Sequence, residues 1–587
     1  MELVLFSIHI EESPRAVSLA TAMLAAAVQK SLGSKVNSCL VDSTLQLDVQ
    51  DDLTRILACQ PQVVGFSIAV WNRHRALEIA RCLKQAHPEI VLLAGGPEVT
   101  ADPQSLRQTD LFEHVLPGEG ELKIVAVLRS LLGENKDAAD DSAVVNLAEL
   151  SSPYLSGWLR PAPGAGALWE LSRGCPYRCD FCFESRGSSV VRRFPLPRLR
   201  AELQHFAKLG LDEIFVLDPT FNYHQQTAKD MLRLMAREGR GLRFSLEIRA
   251  ERIDREMAEL FSRLNCSLQI GLQSAHSEVL RHVHRDFDPE EFSDKILLLH
   301  EAGVSYGFDL IYGLPGDSLD GFLASLDFAL GLVPNHLDMF PLAVLPGTRL
   351  AETAGQLGLS FQDRPPYRVL SSTTFSVEDM NQAARVAAAC DFFYNRGRAV
   401  PWFGMVLDSL ALAASDFFCQ LAAWLPHELP EQPLEWQKKF VRHLFMLQER
   451  PAEADLCDDL LNYFGQVEAL FDHPPEIPPA RQSGLTLNPA FRLVYFHHDP
   501  QQLTRHLAEG VTDLEELAFF LPRVDREYYC GIVHDSLQLC PLTVEQSDYL
   551  RTFSSGSPAT PPAGFIDFAL EAGILTDTVD RKHPKCL

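Results

Sequence analysis

Basic charge is scarce in this 587-residue chain: 52 Lys and Arg stand against 78 Asp and Glu, a formal net charge of −26. Such a surface repels polyanions at long range, so a nucleic-acid partner needs a local basic patch, and no run of Lys and Arg supplies one. Long apolar runs are also missing. None reaches the roughly 18 residues of a membrane span, and the best candidate, Pro401 to Leu425, is broken by Asp408 and Asp416, as in a buried helix. The opening Met1-Glu2-Leu3-Val4-Leu5-Phe6 has no basic segment and no small-residue cleavage site, so no signal peptide is expected. The expectation is a cytoplasmic protein with no membrane and no nucleic-acid partner, in a compartment where thiols stay reduced. No internal repeat of fixed period is present.

What is there begins with strand and helix alternation. Over residues 1–135, the apolar runs Glu2–Phe6, Val36–Val41, Val63–Ala69 and Ile90–Ala94 read as strands of a parallel sheet covered on both faces. Val17, Ala20, Leu24, Val28 and Leu32 recur at helical spacing between the first two, and Ala76, Ile79, Leu83 and Ala86 between the last two. That is a doubly wound, Rossmann-like α/β domain, whose ligands sit beyond the carboxyl ends of the strands. The turns there are Ser67-Ile68-Ala69-Val70-Trp71-Asn72, Gly95-Gly96-Pro97-Glu98-Val99 and Pro117-Gly118-Glu119-Gly120-Glu121.

Residues 136–165, rich in Asp, Ala, Ser, Pro and Gly, read as a linker. Over 166–370 the alternation resumes with six strand candidates: Ala167–Leu171, Glu213–Leu217, Arg243–Ile248, Ser267–Gly271, Ser305–Ile311 and Asp338–Leu345. Repeated β/α units of this kind predict a partial (β/α)6 barrel of the TIM type. Residues 371–587 predict a mostly helical C-terminal domain, interrupted by the proline-rich His473–Pro479 and followed by mixed short strands and helices.

Three of the thirteen cysteines cluster, in Cys175-Pro176-Tyr177-Arg178-Cys179-Asp180-Phe181-Cys182, directly after the first barrel strand, where barrel active sites lie. Three thiolates on one loop ligate three irons of a 4Fe–4S cubane and leave the fourth open, unlike all-cysteine ligation. A structural zinc site wants four ligands, yet the next cysteine is Cys266 and no His is near. A disulfide framework does not suit a reducing compartment.

Glu170-Leu171-Ser172-Arg173-Gly174-Cys175 through Cys182, with Phe181 before the last cysteine, resembles the signature of radical S-adenosylmethionine (SAM) enzymes. The resemblance implies that SAM chelates the open iron and is cleaved to methionine and a 5′-deoxyadenosyl radical. It extends to strand ends that are similar to SAM-contacting positions. These are Glu247 and Arg249 on the third strand, Gln273 and Ser274 on the fourth, Gly313 and Pro315 after the fifth, and Leu345-Pro346-Gly347-Thr348 on the sixth. After the second strand the family's Gly-Gly-Glu is replaced by Asp218-Pro219-Thr220-Phe221, with Asp218 expected to take the SAM ammonium.

The first domain resembles the cobalamin-binding domain fused to one large branch of that superfamily. After Gly65-Phe66, Ser67 with Trp71 and Asn72, then Gly95, Gly96, Pro97 and Glu98, then Gly118 and Glu119, are the implied corrinoid contacts. His9 holds the place of a cobalt-ligating His but lacks the Asp and Gly of Asp-x-His-x-x-Gly, so it reads as a satisfied strand-end histidine. Cys39, Cys59 and Cys82 also number three, as in methylthiotransferases with a second cluster, but they read as core residues.

The resemblance therefore implies a cobalamin-dependent radical SAM enzyme, a C-methyltransferase acting on a small-molecule or peptide substrate, with flavodoxin or ferredoxin as electron donor. The chain's last third resembles an uncharacterised domain of that branch. The alternatives are ring rearrangement or cyclisation without methyl transfer, methylthiotransfer, and a non-catalytic cobalamin or redox sensor.

Overall fold

The first strand sends alternate side chains to opposite faces, and each set finds its own core. Val4, Phe6 and Ile8 pack with Val64, Phe66 and Leu92 on one side, and Leu3 and Leu5 pack with Val63, Leu93 and Leu128 on the other. In this computed structural model, which describes residues 1–13, 17–134, 144–184, 190–467, 469–472, 481–482, 485–533, 536–554 and 560–577, that strand is central to a parallel sheet. The five strands are Glu2–His9, Asn37–Thr44, Val63–Ser67, Val91–Gly95 and His114–Leu116, ordered second, first, third, fourth, fifth. Strand order reverses between the first and third, which opens a crevice at their carboxyl ends. The fifth strand, three residues long, carried too little periodicity to be read from sequence.

A second parallel sheet holds six strands in chain order: Gly166–Trp169, Glu213–Val216, Arg243–Ile248, Cys266–Gln273, Ser305–Tyr312 and His336–Pro341. It is the open barrel expected from the alternation. The last strand begins and ends earlier than its apolar run suggests, because Pro341 closes it. The fourth has a register shift between Gly271 and Gln273 that turns its carboxyl end.

The segment read as a linker is a packed strap where it is described, from residue 144 to 165. Val145, Leu147 and Tyr154 are buried, Tyr154 donates its hydroxyl to Leu168 O at 2.7 Å, and Tyr154 stands edge-on to Phe206. Its polar composition hid these three apolar anchors. Residues 136–143 of that linker, the break at 473–479 and Cys586 lie outside the described residues.

The chain divides into two units, Met1–Ala384 and Arg385–Leu587, so both parallel sheets share one unit. The boundary falls later than residue 370 because Val369 N donates to Leu342 O at 2.8 Å and Met380 packs against Gly313. The second unit is helical in its first half, around Phe393, Phe403, Phe417 and Phe418. It then carries two three-stranded antiparallel sheets, one of them Phe491–His498, Arg523–Val533 and Ser536–Pro541. Among the described residues no single helix is long and apolar enough to cross a membrane; the helices Phe403–Leu410 and Ala414–Trp424, within Pro401 to Leu425, meet at 96°.

Candidate active site

The cysteine loop leaves the carboxyl end of the first barrel strand through a short ribbon, Ser172–Arg173 paired with Arg192–Arg193, and then Gly174 at φ +100°. Its middle is tied down. Asp180 N donates to Val283 O at 3.0 Å, Leu350 N donates to Asp180 O at 3.0 Å, and the Asp180 carboxylate meets His284 Nδ1 at 2.8 Å. Cys175 and Cys179 are buried and Cys182 is half-buried, its amide 3.1 Å from Cys179 O. Among the described residues no three His, Cys, Asp or Glu side chains are gathered at metal-binding spacing, so the loop brings the three thiols together in sequence and place but not to ligand distance.

The donor set still suits an iron–sulfur cluster. It consists of thiols alone, and cationic groups lie beside it: the Arg285 guanidinium bonds Cys179, and Arg249 is stacked 3.8 Å over the Tyr177 ring. Burial pushes the Cys175 thiol up, a cost that a metal ion removes by holding the thiolate. Phe181 is half-buried on the same loop.

The other expected SAM contacts separate into three groups. Gln273, at φ +70°, ends the fourth strand with its Oε1 buried and without a hydrogen-bond partner, an acceptor open to a bound hydroxyl or amine. Ser274 beside it is buried against Ser325, and Gly313 and Pro315 form a buried turn, Gly313 at φ +84°. Asp218 is already committed. Its carboxylate accepts from Leu171 N and Ser172 N, each at 2.9 Å, and from Ser172 Oγ at 2.6 Å, which ties the root of the cysteine loop to the second strand. Burial pushes its carboxyl up to about 6. This tie is what the structure shows for Asp218.

Glu247 faces the barrel lumen, a cavity of about 570 Å³ that it shares with Gln269, Asp309, His336 and Asp338. Gln269 donates to Asp309, and His336 donates to Gln269. Although its side chain is open to the lumen, desolvation there first, then the Asp309 charge, pushes Glu247 from the ordinary 4.5 up to about 7. A carboxyl raised by folding holds its proton longer in the folded chain than in the unfolded one. Stability of the unloaded protein is therefore expected to fall as pH rises from about 4.5 toward about 7, and Glu247→Gln should flatten that fall. Thermal midpoints across this range check it; equal slopes for the two proteins contradict it.

The largest convergence lies at the crevice of the first sheet. A cavity of about 710 Å³ is lined by Ser67, Trp71, Asn72, Gly95, Gly96, Pro97, Gly118 and Glu119, eight of the nine expected corrinoid contacts, and on its far side by Glu170, Arg173, Phe183 and Glu184 of the barrel. The turns leave little choice of residue. Gly96 sits at φ +110°, and a Cβ there would lie 2.5 Å from Ile68 O. Asn72 is buried, accepts from Ala69 N at 2.8 Å and donates to Ser67 O at 3.1 Å, which shapes the turn under the exposed Trp71. A crevice rimmed by glycines fits a macrocycle laid across the strand ends.

Glu98 does not join the wall: it is 2% exposed and pairs with Arg73 at 2.8 Å. His9 lines the cavity, its Nε2 2.9 Å from Ser18 Oγ, as a satisfied histidine should be. Cys39 and Cys59, read as separate core residues, meet at 2.6 Å, because the second strand and the following helix bring them together; no third cysteine joins them among the described residues. Arg192 is engaged with Glu119.

Three family matches cover successive parts of the chain: a B12 binding domain over residues 13–128, the Radical SAM superfamily over 169–329, and a protein of unknown function, DUF4080, over 355–463. The cobalamin-dependent radical SAM methyltransferase TokK of Streptomyces tokunonensis is 26% identical over 340 residues, 51% of this chain and 50% of TokK. This chain thus spans about half the length of that relative. The uncharacterized methyltransferase PH0819 of Pyrococcus horikoshii is 24% identical over 57% of this chain and 78% of its own. Among solved structures, the cobalamin-dependent SAM radical enzyme OxsB with aqua-cobalamin and SAM bound superposes with a TM-score of 0.54 at 16% identity, covering 78% of this chain and 81% of OxsB. That likeness is one of fold.

Proposed function

From a chain that joins a B12-binding domain to a radical SAM domain, and is on that ground a radical SAM enzyme, we propose a cobalamin-dependent methyltransferase that methylates carbon on a small molecule or peptide. The observation that carries this reading is the shared cavity: corrinoid-side turns and the root of the cysteine loop wall one space. When bound, the 4Fe–4S cluster supplies the electron that cleaves SAM, and the corrinoid supplies the methyl group.

The chain's own part is to bind, orient and keep water out. Cys175, Cys179 and Cys182 would hold the cluster through three thiolates. Gln273 Oε1, buried and unpaired, would accept a hydrogen bond from bound SAM, with the buried Ser274, Gly313 and Pro315 at neighbouring strand ends. Gly96 and Gly118, both at positive φ, would let backbone approach the macrocycle in the cavity that Trp71 also lines. Phe183, Leu168 and Leu217 give the cavity an apolar side against the barrel, which limits quenching of a radical by solvent. Reduction comes from a flavodoxin or ferredoxin. The acidic balance of the chain favours a substrate other than a polyanion.

The test is anaerobic reconstitution with iron, sulfide and cobalamin, then reduction in the presence of SAM carrying an isotopically labelled methyl group. Methionine and 5′-deoxyadenosine should accumulate over many turnovers, and the label should appear on the corrinoid. SAM binding without sustained cleavage would mean a sensor, and cleavage with no label on the corrinoid would mean rearrangement chemistry; either outcome overturns the proposal.

A further inference from the structure

Arg173 stands two residues before the first cysteine of the loop, yet much of its charge is spent on the other module. Its Nη2 lies 2.7 Å from Glu121 Oε1 and its Nη1 3.3 Å from Glu119 Oε1, both on the turn after the fifth strand of the first sheet. Its Nε meets Glu170 Oε1 at 2.8 Å, just past the first barrel strand. Arg192, opposite Arg173 in the ribbon, grips the same Glu119 carboxylate, with Nη2 2.5 Å from Oε1 and Nη1 3.2 Å from Oε2. Val145 N donates to the same Oε2 at 3.0 Å.

A second tie grips the neighbouring turn. Glu98, after the fourth strand, accepts from Arg73 at 2.8 Å and from Tyr367 Oη at 2.9 Å, and Tyr367 belongs to the segment that follows the barrel. Adjacent turns of the corrinoid-side crevice are thus held from two separate places on the barrel side, and the cavity lies beside them.

Buried ion pairs of this kind add little net stability over apolar packing of the same volume. What they supply is geometry: a guanidinium fork admits few arrangements of its carboxylates, whereas an apolar contact slides. Arg173 and Glu121 side chains are 15% and 5% exposed, so solvent screens the pair weakly.

We propose that Arg173 is a positioning residue that holds the cysteine loop at one fixed separation from the corrinoid-side turns, with the Glu98–Tyr367 bond as its counterpart on the adjacent turn. The proposal rests on the function given above only in taking cluster and cobalamin as bound. Two half-reactions on separately held groups need such a device, because an ångström of drift between reacting groups costs about 10²-fold in rate.

The test reads distance. Full-length protein loaded with cluster and cobalamin is reduced so that cob(II)alamin and the cluster are both paramagnetic, and pulsed EPR measures their dipolar coupling. The unaltered protein should give one narrow coupling. Arg173→Ala should broaden it by about a factor of two, an ångström-scale spread, with Arg173→Lys intermediate because a point charge keeps only part of the fork. Glu121→Gln, which leaves the loop sequence intact, should broaden it as well and covers the case of an Arg173→Ala protein that does not load. The same narrow coupling in Arg173→Ala or, failing that, in Glu121→Gln overturns the proposal. If the unaltered protein lacks either paramagnet, the proposed function fails and amide exchange on unloaded protein decides this point. Exchange about tenfold faster at both Gly118–Glu121 and Ser172–Cys182 in Arg173→Ala supports a tie between them, and unchanged exchange contradicts it.

Discussion

Replacing Cys179 with alanine should reduce bound iron from about four atoms per chain to background and abolish SAM cleavage with it. Cys179 is the middle donor of three on a loop that has no His to substitute, and it is buried with the Arg285 guanidinium bonded to it. Two thiolates leave a cubane with two unprotected irons, which solvent and oxygen degrade. Cys266→Ala is the matched control. Cys266 is equally buried, its thiol pushed up to about 12 by desolvation, but it lies at the start of the fourth barrel strand, the end away from the loop, so cluster absorbance should persist. Loss of the cluster in Cys266→Ala, or its retention in Cys179→Ala, would contradict the ligand assignment.

Gly96→Ala should cost the corrinoid site nearly as much. At φ +110° an L side chain is strained by about 1–3 kcal/mol, and here the added Cβ would also press on Ile68, 2.5 Å from its carbonyl oxygen and 2.9 Å from its nitrogen. Those two atoms hold the neighbouring turns, since Ile68 N donates to Gly95 O at 2.8 Å and Glu98 N donates to Ile68 O at 3.2 Å. A loss of about 2 kcal/mol corresponds to roughly thirtyfold weaker cobalamin binding, measurable by absorbance titration. Gly133→Ala separates backbone strain from the crevice. It too sits at positive φ, +77°, but its Cβ would meet nothing within 4 Å, so cobalamin affinity should stay unchanged. Equal affinity for the Gly96→Ala protein would remove this turn from the binding site.

The parts of this site that were legible in the sequence are those whose chemistry is local. Cysteines at fixed spacing after an apolar strand announce a ligand loop. Glycines after successive strands mark the crevice, and eight of the expected corrinoid residues line one cavity. The six barrel strands appear in the alternation because inward and outward faces differ along each strand, with the bounds of Arg243–Ile248 matching outright.

What stayed hidden is partner choice across long separations. Nothing near Asp218 announces that Leu171 and Ser172 claim its carboxylate, so it looked available for an ammonium group. Glu98 looked like a cavity residue because it follows Gly95, Gly96 and Pro97; its side chain instead turns inward to Arg73 and to Tyr367, 269 positions away. Glu119 does line the cavity, but its charge is matched by Arg173 and Arg192. The strap from 144 to 165 reads as linker by composition, and a few apolar anchors among polar residues, Val145, Leu147 and Tyr154 among them, betray that it packs.

Radical chemistry here requires three thiolates that hold a cubane with one iron left for SAM, beside a corrinoid seated in the cavity that the root of their loop helps to wall. EPR on a single anaerobic, reduced sample tests it directly, recorded before and after SAM is added. A reduced-cluster signal should shift when SAM binds, in protein that also carries about one cobalamin per chain. A cluster signal indifferent to SAM would mean that a fourth protein ligand closes the iron, and the three-thiolate site with its open iron would be ruled out.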